Sequence, residues 1–235
     1  MTPLTLSIII RGIITAVIAY LFGSISFAVI FTKMSSKKDI REMGSGNAGF
    51  TNVLRSVGVV PAVFTLVFDF IKGALASLVG SWFFSTIACT DVSLADELVV
   101  YGGLIGGVFA IIGHMYPVYF GFKGGKGIVT AASMMAVTDF RVFLLIVATF
   151  LILFFATKII SLASITCAAL YGVYTFVCTF FFDFIRNDEL FSLRYVLICT
   201  FFAFLLGGFV IVKHKENIKR LLKGEEKKIT AKKKA

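Results

Sequence analysis

A glycine-rich stretch that ends in an arginine is the first candidate for chemistry. Residues 44–55 read GSGNAGFTNVLR. Glycines tolerate positive φ angles and leave backbone amides bare, and successive amides in such a turn can form an anion-binding nest. A helix beginning after the glycines would add an N-terminus that favours phosphate. Asn52 and Arg55 are three residues apart and are expected on one side of that helix, where Arg55 can grip a phosphate with two parallel donors.

The same stretch also fits a flexible turn that caps a membrane helix. It is not a Walker loop, because no G-K-[ST] follows at the required spacing. The substrate-binding residues predicted in this stretch are Gly44, Gly46, Asn47, Gly49, Thr51 and Asn52.

A second stretch combines glycines with lysines. Residues 113–127 read GHMYPVYFGFKGGKG, so two cations and three glycines fall within the last five positions. Glycine lets a ligand approach the backbone, and the lysines supply positive charge. A topogenic basic anchor with a hinge is the alternative interpretation. His114 fits a structural histidine at a helix end better than a catalyst. The substrate-binding residues predicted here are Lys123, Gly124, Gly125, Lys126 and Gly127.

The third stretch is a basic segment near the end of the chain. Residues 213–226 read KHKENIKRLLKGEE, and His214, Asn217, Ile218, Leu221 and Leu222 fall at helical spacing on one face. Gly following that run is a natural helix terminator. A basic amphipathic helix on the membrane surface is the alternative. A surface helix does not need His and Asn on its packed face, which favours a site.

The composition sets the environment in which these stretches must be positioned. Hydrophobic residues make up 58% of the 235 residues and charged residues 15%, against about 45–50% and about 25% in soluble domains. These values exclude a single soluble domain. With 27 Phe and only 3 Pro, the chain fits neither a disordered tail nor a disulfide scaffold. The four cysteines show no CxxC spacing and are expected to serve as apolar bulk.

Uncharged runs of membrane-spanning length predict an all-α integral membrane protein with about seven transmembrane helices. One of these runs is interrupted by Asp69 and Lys72, which stand at i and i+3 and are expected to pair as a structural feature. No cleavable signal peptide is evident. The predicted segments are 4–31, 56–88, 98–120, 127–138, 142–158, 160–182 and 191–212.

Loop charge predicts the orientation, because basic loops remain cytoplasmic. The N-terminus is expected outside and the C-terminus inside. Region 127–157 must then hold two short segments, since a single span would move the acidic 183–194 loop inside and the basic tail outside. The net charge of +10 does not indicate nucleic-acid binding, because the basic residues are spread among membrane-edge loops. The net loop charges are +3 for 32–55, −3 for 89–97, +2 for 119–126, −1 for 183–194 and +7 for 213–235.

The three stretches, in this order, resemble the signature motifs of the bacterial acyl-phosphate:glycerol-3-phosphate acyltransferases of the PlsY type. The segments YLFGSI at 20–25, DFIKG at 69–73 and SLASI at 161–165 agree with that family. The resemblance extends from about residue 20 to residue 226. Ser26 stands where the family usually has Pro, and Phe50 stands where it usually has Ala; neither change removes a polar group.

The resemblance implies an activity. An acyl group would pass from acyl phosphate to the 1-hydroxyl of glycerol 3-phosphate, giving lysophosphatidic acid and phosphate in the first acylation of phospholipid synthesis. No cofactor and no metal are implied. Membrane lipids surround such an enzyme, and the enzyme that forms the acyl phosphate is a candidate partner. The implied location is the bacterial cytoplasmic membrane, with the active site facing the cytoplasm.

The resemblance also implies residue roles. It assigns Ser45 and Arg55 to activity, the 123–127 loop to glycerol 3-phosphate, and His214 and Asn217 to the active centre. Glu226 is implied to maintain structural integrity. Either His214 or a substrate phosphate can accept the hydroxyl proton. One acyltransferase domain is expected over 1–226, followed by a basic tail over 227–235.

Three other functions were weighed against this activity. An acyltransferase that uses coenzyme A or acyl carrier protein usually carries H-x4-D, but Tyr119 and Lys219 stand five residues after the two histidines. A small-anion transporter would place its charges near the midplane, whereas these charges cluster on one predicted face. A metal-dependent lipid phosphotransferase would need clustered carboxylates, which the sequence lacks.

Overall fold

The computed structural model describes residues 2–186 and 191–229. Over those residues the chain forms ten α-helices and no β-strand, so the predicted all-α class is confirmed. The chain divides into two compact units, Met1–Phe140 and Arg141–Ala235. Asp188 and Glu189 of the predicted acidic loop and residues 230–235 of the predicted basic tail lie outside the described residues. The prediction of one domain over 1–226 stays a prediction.

Two helices of the N-terminal unit begin at residues whose side chains cap them. Thr2 accepts a hydrogen bond from the amide of Thr5 at the start of the first helix, and Asp91 accepts one from the amide of Leu94 at the start of the fifth; such caps satisfy amides that have no partner within the helix. The helices of this unit are α1 (Pro3–Gly23), α2 (Phe27–Ser36), α3 (Phe50–Ser56), α4 (Val59–Ser85), α5 (Val92–Met115) and α6 (Ile128–Thr138).

The first predicted segment differs from the structure, because it is two helices with a break between them. The amide and the hydroxyl of Ser24 both donate to the Tyr20 carbonyl, at 2.9 Å and 2.8 Å. Helix α1 ends at Gly23 and α2 begins at Phe27. The carbonyl of Ile25, which lies in this break, accepts a hydrogen bond from a distant side chain, Lys72.

Helices α1, α4 and α5 pack with almost no side chain between their backbones. A Cβ added to Gly106 would lie 2.2 Å from the Ala76 carbonyl oxygen, and one added to Gly80 would lie 2.1 Å from that of Gly102. These paired positions run in opposite directions, so α4 and α5 are antiparallel. Small residues allow such close approach in membranes, where association depends on packing rather than on exclusion of water.

The C-terminal unit is built from four further helices. Helix α8 continues without interruption into a π-helical turn over Cys178–Ile185. Arg141 forms a bidentate ion pair with Asp183 of that turn, at 2.7 Å and 2.8 Å. The π-helical end of α8 is therefore tied to the start of α7. The helices of this unit are α7 (Phe140–Thr157), α8 (Ile160–Val177), α9 (Leu193–Lys213) and α10 (Lys215–Leu222).

Six apolar regions of the described chain are long enough to cross a membrane, and Ile128–Thr138 is a shorter apolar helix. These seven regions correspond to the seven predicted segments. The predicted start of the third segment at residue 98 is six residues late, because α5 begins at Val92. Which side of the membrane each end faces stays a prediction.

Candidate active site

The first glycine loop is organised by one buried side chain, Asn52. Its Nδ2 donates to the carbonyls of Met43 at 2.9 Å, Asn47 at 3.1 Å and Ile40 at 3.2 Å, sharing two hydrogens among three acceptors. Its Oδ1 accepts a hydrogen bond from the amide of Ser45 at 3.0 Å. The side chain of Asn52 therefore forms hydrogen bonds with backbone groups at both ends of the loop that precedes its own helix. All of these bonds lie inside the protein.

The backbone amides of this loop are also used internally. Gly46 donates to the Met43 carbonyl, and Gly49 donates to that of Asn47. Together with the amide of Ser45, three of the amides expected to form an anion nest already have acceptors within the loop. Gly44 adopts a φ of +56°, and a Cβ there would lie 2.4 Å from the Oδ1 of Asn52, so glycine is required at this position.

Side chains of the first loop remain accessible. Ser45 is exposed at the tip of the loop, and Arg55 is exposed on α3, whereas Asn52 is buried beneath them. Asn52 and Arg55, which were expected on one side of this helix, thus differ in exposure. The chemistry of Ser45 and Arg55 suits an anionic ligand through a hydroxyl donor and a guanidinium fork. Their assignment to activity stays a prediction.

The second glycine loop folds back onto the end of α5. The amide of Gly125 donates to the His114 carbonyl at 3.1 Å. A Cβ added to Gly124 would lie 2.0 Å from the same carbonyl, and one added to Gly125 would lie 2.2 Å from Nε2 of His114 and 2.6 Å from the Ala48 carbonyl. The second loop therefore contacts both the histidine and the first loop, which no sequence spacing predicted.

The exposed end of the second loop carries its cations. Lys123 is exposed, and Lys126 is half-buried. The preceding turn is tight, because Phe120 and Phe122 both donate through their amides to the Pro117 carbonyl. Gly127 adopts a φ of +80° where the chain enters α6. The turns at both ends of the segment fix the backbone positions from which the side chains of Lys123 and Lys126 project.

An ion pair that the sequence analysis did not single out links the approach to the first loop with the turn before the second. Arg41 pairs with Asp39 at 2.8 Å and also donates to the Phe120 carbonyl. The hydrogen bond from the Arg41 side chain lowers the pKa of Asp39 to about 2, so this carboxylate is charged throughout the physiological range. The only signal in the sequence was the i, i+2 spacing of the two residues, which is weak.

A buried charge cluster lies beneath the second loop. Asp69 and Lys72 form an ion pair of 2.7 Å between Oδ1 and Nζ, as their i, i+3 spacing predicted. Nζ of Lys72 also lies 3.0 Å from Nδ1 of His114. Both members of the pair are almost fully buried, at 2% and 0% exposure. By sequence alone His114 is an isolated helix-end residue, because nothing local places it beside a residue 42 positions earlier.

In the C-terminal unit, His214 occupies the corner between α9 and α10. Its amide bonds the Ile211 carbonyl, so the Val210 carbonyl at the end of α9 lacks its usual helical partner. Nδ1 of His214 fills that place at 2.8 Å. A carbonyl can only accept, so Nδ1 carries the proton and the lone pair of the neutral ring is on Nε2.

Asn217 and Glu226 form a second buried cluster in the C-terminal unit. Oε1 of Glu226 accepts from Asn217 Nδ2 at 2.8 Å and from Ser161 Oγ at 2.9 Å, while Oε2 accepts from Arg220 at 2.6 Å. Burial alone would raise the pKa of Glu226, but the hydrogen bonds from Arg220, Asn217 and Ser161 outweigh burial and hold the pKa below its usual value.

The predicted helix over the third stretch is confirmed as α10, and Gly224 follows it with a φ of +69°. His214 and Asn217 are buried, as the predicted packed face requires. Leu222 is 85% exposed, so its predicted place on that face is wrong.

These features define a polytopic helical membrane protein with adjoining glycine-rich, cationic loops suited to anionic ligands. A family model described as "Glycerol-3-phosphate acyltransferase" matches residues 13–224. The chain belongs to this glycerol-3-phosphate acyltransferase family.

Curated relatives and solved structures agree with that placement. The chain is 37% identical over 216 residues to a glycerol-3-phosphate acyltransferase of Macrococcus caseolyticus, covering 92% of this chain and 96% of the relative. It is 38% identical over 222 residues to one of Rhodospirillum rubrum, covering 94% and 93%. A crystal structure of PlsY, an integral membrane glycerol 3-phosphate acyltransferase, in the glycerol 3-phosphate form has a TM-score of 0.71 at 32% identity, covering 93% and 96%. The lysophosphatidic acid form has a TM-score of 0.68 at 31% identity, covering 93% and 95%.

The role of Asn52 can be tested with an isosteric change. Asn52→Asp replaces the two amide hydrogens with an oxygen that faces three carbonyl oxygens. We expect a loss of about 3 kcal/mol or more in stability of the loop, seen as a lower melting temperature of the purified protein and at least a tenfold lower acyltransferase kcat/KM. Ser56→Ala removes only one contact to Asn52 Oδ1, of 3.3 Å, and serves as the control. Equal behaviour of the two variants would show that Asn52 does not organise the loop.

The Glu226 cluster predicts a pH-dependent effect. Because the folded pKa lies below the unfolded value of about 4.3, ionised Glu226 stabilises the fold above that value, and this contribution is lost as pH falls through the folded pKa. Glu226→Gln should lower the melting temperature at pH 7 by roughly 5 °C. The gap to wild type should narrow below about pH 4. The exposed neighbour provides the control Glu225→Gln, which should match wild type; a gap independent of pH would contradict the assignment.

Proposed function

We propose that this protein transfers an acyl group from acyl phosphate to the 1-hydroxyl of sn-glycerol 3-phosphate. The products are lysophosphatidic acid and inorganic phosphate, and the reaction is the first acylation of phospholipid biosynthesis. The observation that carries this proposal is the contact between the two glycine loops at Gly125 and Ala48. Two adjoining cationic loops suit a reaction in which both substrates bear a phosphate.

The related solved structures support the acceptor and the product. They are described as the glycerol 3-phosphate form and the lysophosphatidic acid form of PlsY. The donor is inferred from chemistry and from the sequence resemblance. Acyl phosphate is already activated, so positioning and stabilisation of the developing oxyanion can supply most of the rate. The cationic loops suit such a donor because its leaving group is phosphate.

The side chains of the first loop are proposed to recognise phosphate. With the amides of Ser45, Gly46 and Gly49 engaged inside the loop, recognition falls to exposed side chains. The guanidinium of Arg55 offers a bidentate fork, and the hydroxyl of Ser45 offers one donor. Lys123 and Lys126, with the glycines between and after them, are proposed to bind glycerol 3-phosphate.

In the reaction, the hydroxyl oxygen forms a bond to the acyl carbon, and the bond from that carbon to the phosphate oxygen breaks. The hydroxyl proton must leave with this step. Two groups suit it: Nε2 of His214, whose lone pair follows from the Nδ1 bond to Val210, and an oxygen of the departing phosphate. Asn217 is proposed to take part in the active centre through its position beside Glu226. No cofactor is required.

The protein is proposed to act in the bacterial cytoplasmic membrane with the loops facing the cytoplasm. Six membrane-length apolar regions support the multi-pass membrane location. The sidedness rests on the basic charge of the loops at 32–55 and 119–126. An enzyme that forms acyl phosphate is a proposed partner, because it would supply the donor.

Donor choice provides the direct test of the function. Purified protein in detergent is incubated with labelled glycerol 3-phosphate and either palmitoyl phosphate or palmitoyl-CoA. We expect lysophosphatidic acid with the acyl phosphate only, since the leaving phosphate matches the cationic loops. Product formation from the CoA ester alone, or from neither donor, would contradict the proposal.

Phosphate recognition by Arg55 is tested by Arg55→Lys, which keeps the charge but loses the fork. We expect kcat/KM to fall roughly tenfold to a thousandfold, on the order of 1.4–4 kcal/mol. Exposed Arg186 lies in the other unit, and Arg186→Lys is the matched control with unchanged kinetics. Normal kinetics in Arg55→Lys would show that the guanidinium fork of Arg55 is not needed for phosphate recognition and that Arg55 serves only as a charge that sets membrane orientation.

A further inference from the structure

We propose that Asp69, Lys72 and His114 form a positioning set that holds the second glycine loop in its binding shape. Lys72, held by Asp69, fixes the orientation and tautomer of the His114 ring, and the ring in turn supports Gly125. None of the three is proposed to contact substrate. The inference rests on the proposed function, because the loop it supports is the one assigned to glycerol 3-phosphate.

The Lys72 ammonium has three close partners. Its Nζ lies 2.7 Å from Oδ1 of Asp69, 2.8 Å from the carbonyl of Ile25 and 3.0 Å from Nδ1 of His114. An ammonium has three donors and no acceptor. One ion pair and two hydrogen bonds, to three separate elements, therefore hold Nζ in place.

The tautomer of His114 follows from that geometry. Nδ1 faces an ammonium that can only donate, so Nδ1 must act as the acceptor. Oδ1 of Asp69 lies farther from this nitrogen, at 3.6 Å, so the ammonium of Lys72 is its closer partner. The neutral ring consequently carries its proton on Nε2, and Nε2 is the edge that faces Gly125.

The second glycine loop lies close to the His114 ring. The backbone of Gly125 leaves no room for a methyl group above Nε2, and the neighbouring Ala48 carbonyl limits the same space. The amide of Gly125 is bonded to the His114 carbonyl. A rotated or displaced His114 ring would therefore displace the second loop. Lys123 and Lys126, which flank the two glycines of that loop, would move with it.

Two charged residues within a membrane-spanning helix, Asp69 and Lys72, carry an energetic cost. Isolated charges within a membrane span cost roughly 2.5–3.5 kcal/mol each on insertion scales. A buried ion pair is often replaceable by apolar residues without loss of stability. Stability alone therefore does not account for Asp69 and Lys72 in α4, whereas fixing the His114 ring beneath a substrate loop does.

A spectroscopic experiment tests the tautomer. The chain has only two histidines, so protein labelled with ¹⁵N-histidine gives two imidazole spin systems, and His214→Gln assigns them. We expect His114 to show an unprotonated Nδ1 and a protonated Nε2 in the wild type. The double variant Asp69→Asn/Lys72→Met, which removes both charges at similar volume, should lose this fixed pattern. A protonated Nδ1 in the wild type would overturn the inference.

A kinetic experiment tests the positioning role. In the same double variant we expect the KM for glycerol 3-phosphate and the inhibition constant of inorganic phosphate to rise roughly tenfold to a hundredfold, since misplacement by about 1 Å can cost that much. Arg141→Met/Asp183→Asn is the control, since it removes a different ion pair, whose carboxylate is buried and whose guanidinium is partly exposed. It should leave the KM for glycerol 3-phosphate unchanged.

Two single variants keep the test decisive if the double variant does not accumulate. His114→Asn retains an amide oxygen that can accept from Lys72, whereas His114→Leu removes the acceptor. We expect the KM to remain closer to wild type in the Asn variant than in the Leu variant. Equal KM values in both variants, or an unchanged KM in the double variant while the wild type is active, would overturn the inference. A wild type that is inactive with acyl phosphate contradicts the proposed function instead, and the tautomer pattern still tests the positioning set.

Discussion

The N-terminal unit depends on one constraint: the ammonium of Lys72 must find three acceptors where no water can supply them. Each comes from a different element. Asp69 lies on the same helix, the Ile25 carbonyl lies in the break between α1 and α2, and Nδ1 of His114 lies near the end of α5. Because a buried ammonium without partners is costly, this residue fixes the break in the first span and the relative position of α4 and α5.

Glycines allow α1, α4 and α5 to approach closely enough for the contacts of Lys72 to form. Gly106 lies against the backbone of Ala76, Gly80 lies against that of Gly102, and Gly23 approaches Ala110. Larger residues at these positions would separate α1, α4 and α5 and lengthen every polar contact between them. Backbone-to-backbone packing is a common solution in membranes, where apolar side chains gain little by leaving lipid. Packing and polar contacts therefore depend on each other.

The two glycine loops differ in how their backbones are used. In the first loop, Asn52 and nearby carbonyls engage several amides, so the glycines serve to make the turn, and accessible chemistry is left to Ser45 and Arg55. In the second loop, Gly124 and Gly125 allow close approach to His114. Glycines adopt positive φ angles in both loops, at Gly44 and at Gly127, and those at 124 and 125 also provide space for the histidine. This division favours anion recognition by side chains placed on a rigid backbone.

The sequence by itself determined what is local. Apolar length together with loop charge predicted seven membrane segments, the i, i+3 spacing predicted the Asp69–Lys72 pair, and helical periodicity with a following glycine predicted α10. These properties follow from hydrophobic run length and the 3.6-residue period, which short stretches of sequence contain. Motif order was also sufficient to recognise the family, because three long stretches carried it.

Only the tertiary structure decided which of these residues meet. The contact of Gly125 with Ala48, the bond from Lys72 to His114 and the engagement of Asn52 beneath its own loop depend on helix packing and turn geometry. The break after Gly23 and the exposure of Leu222 were likewise not evident. Such contacts join residues up to 77 positions apart, as for Ala48 and Gly125. Their formation depends on burial and on the need to satisfy polar groups away from water, which no local pattern specifies.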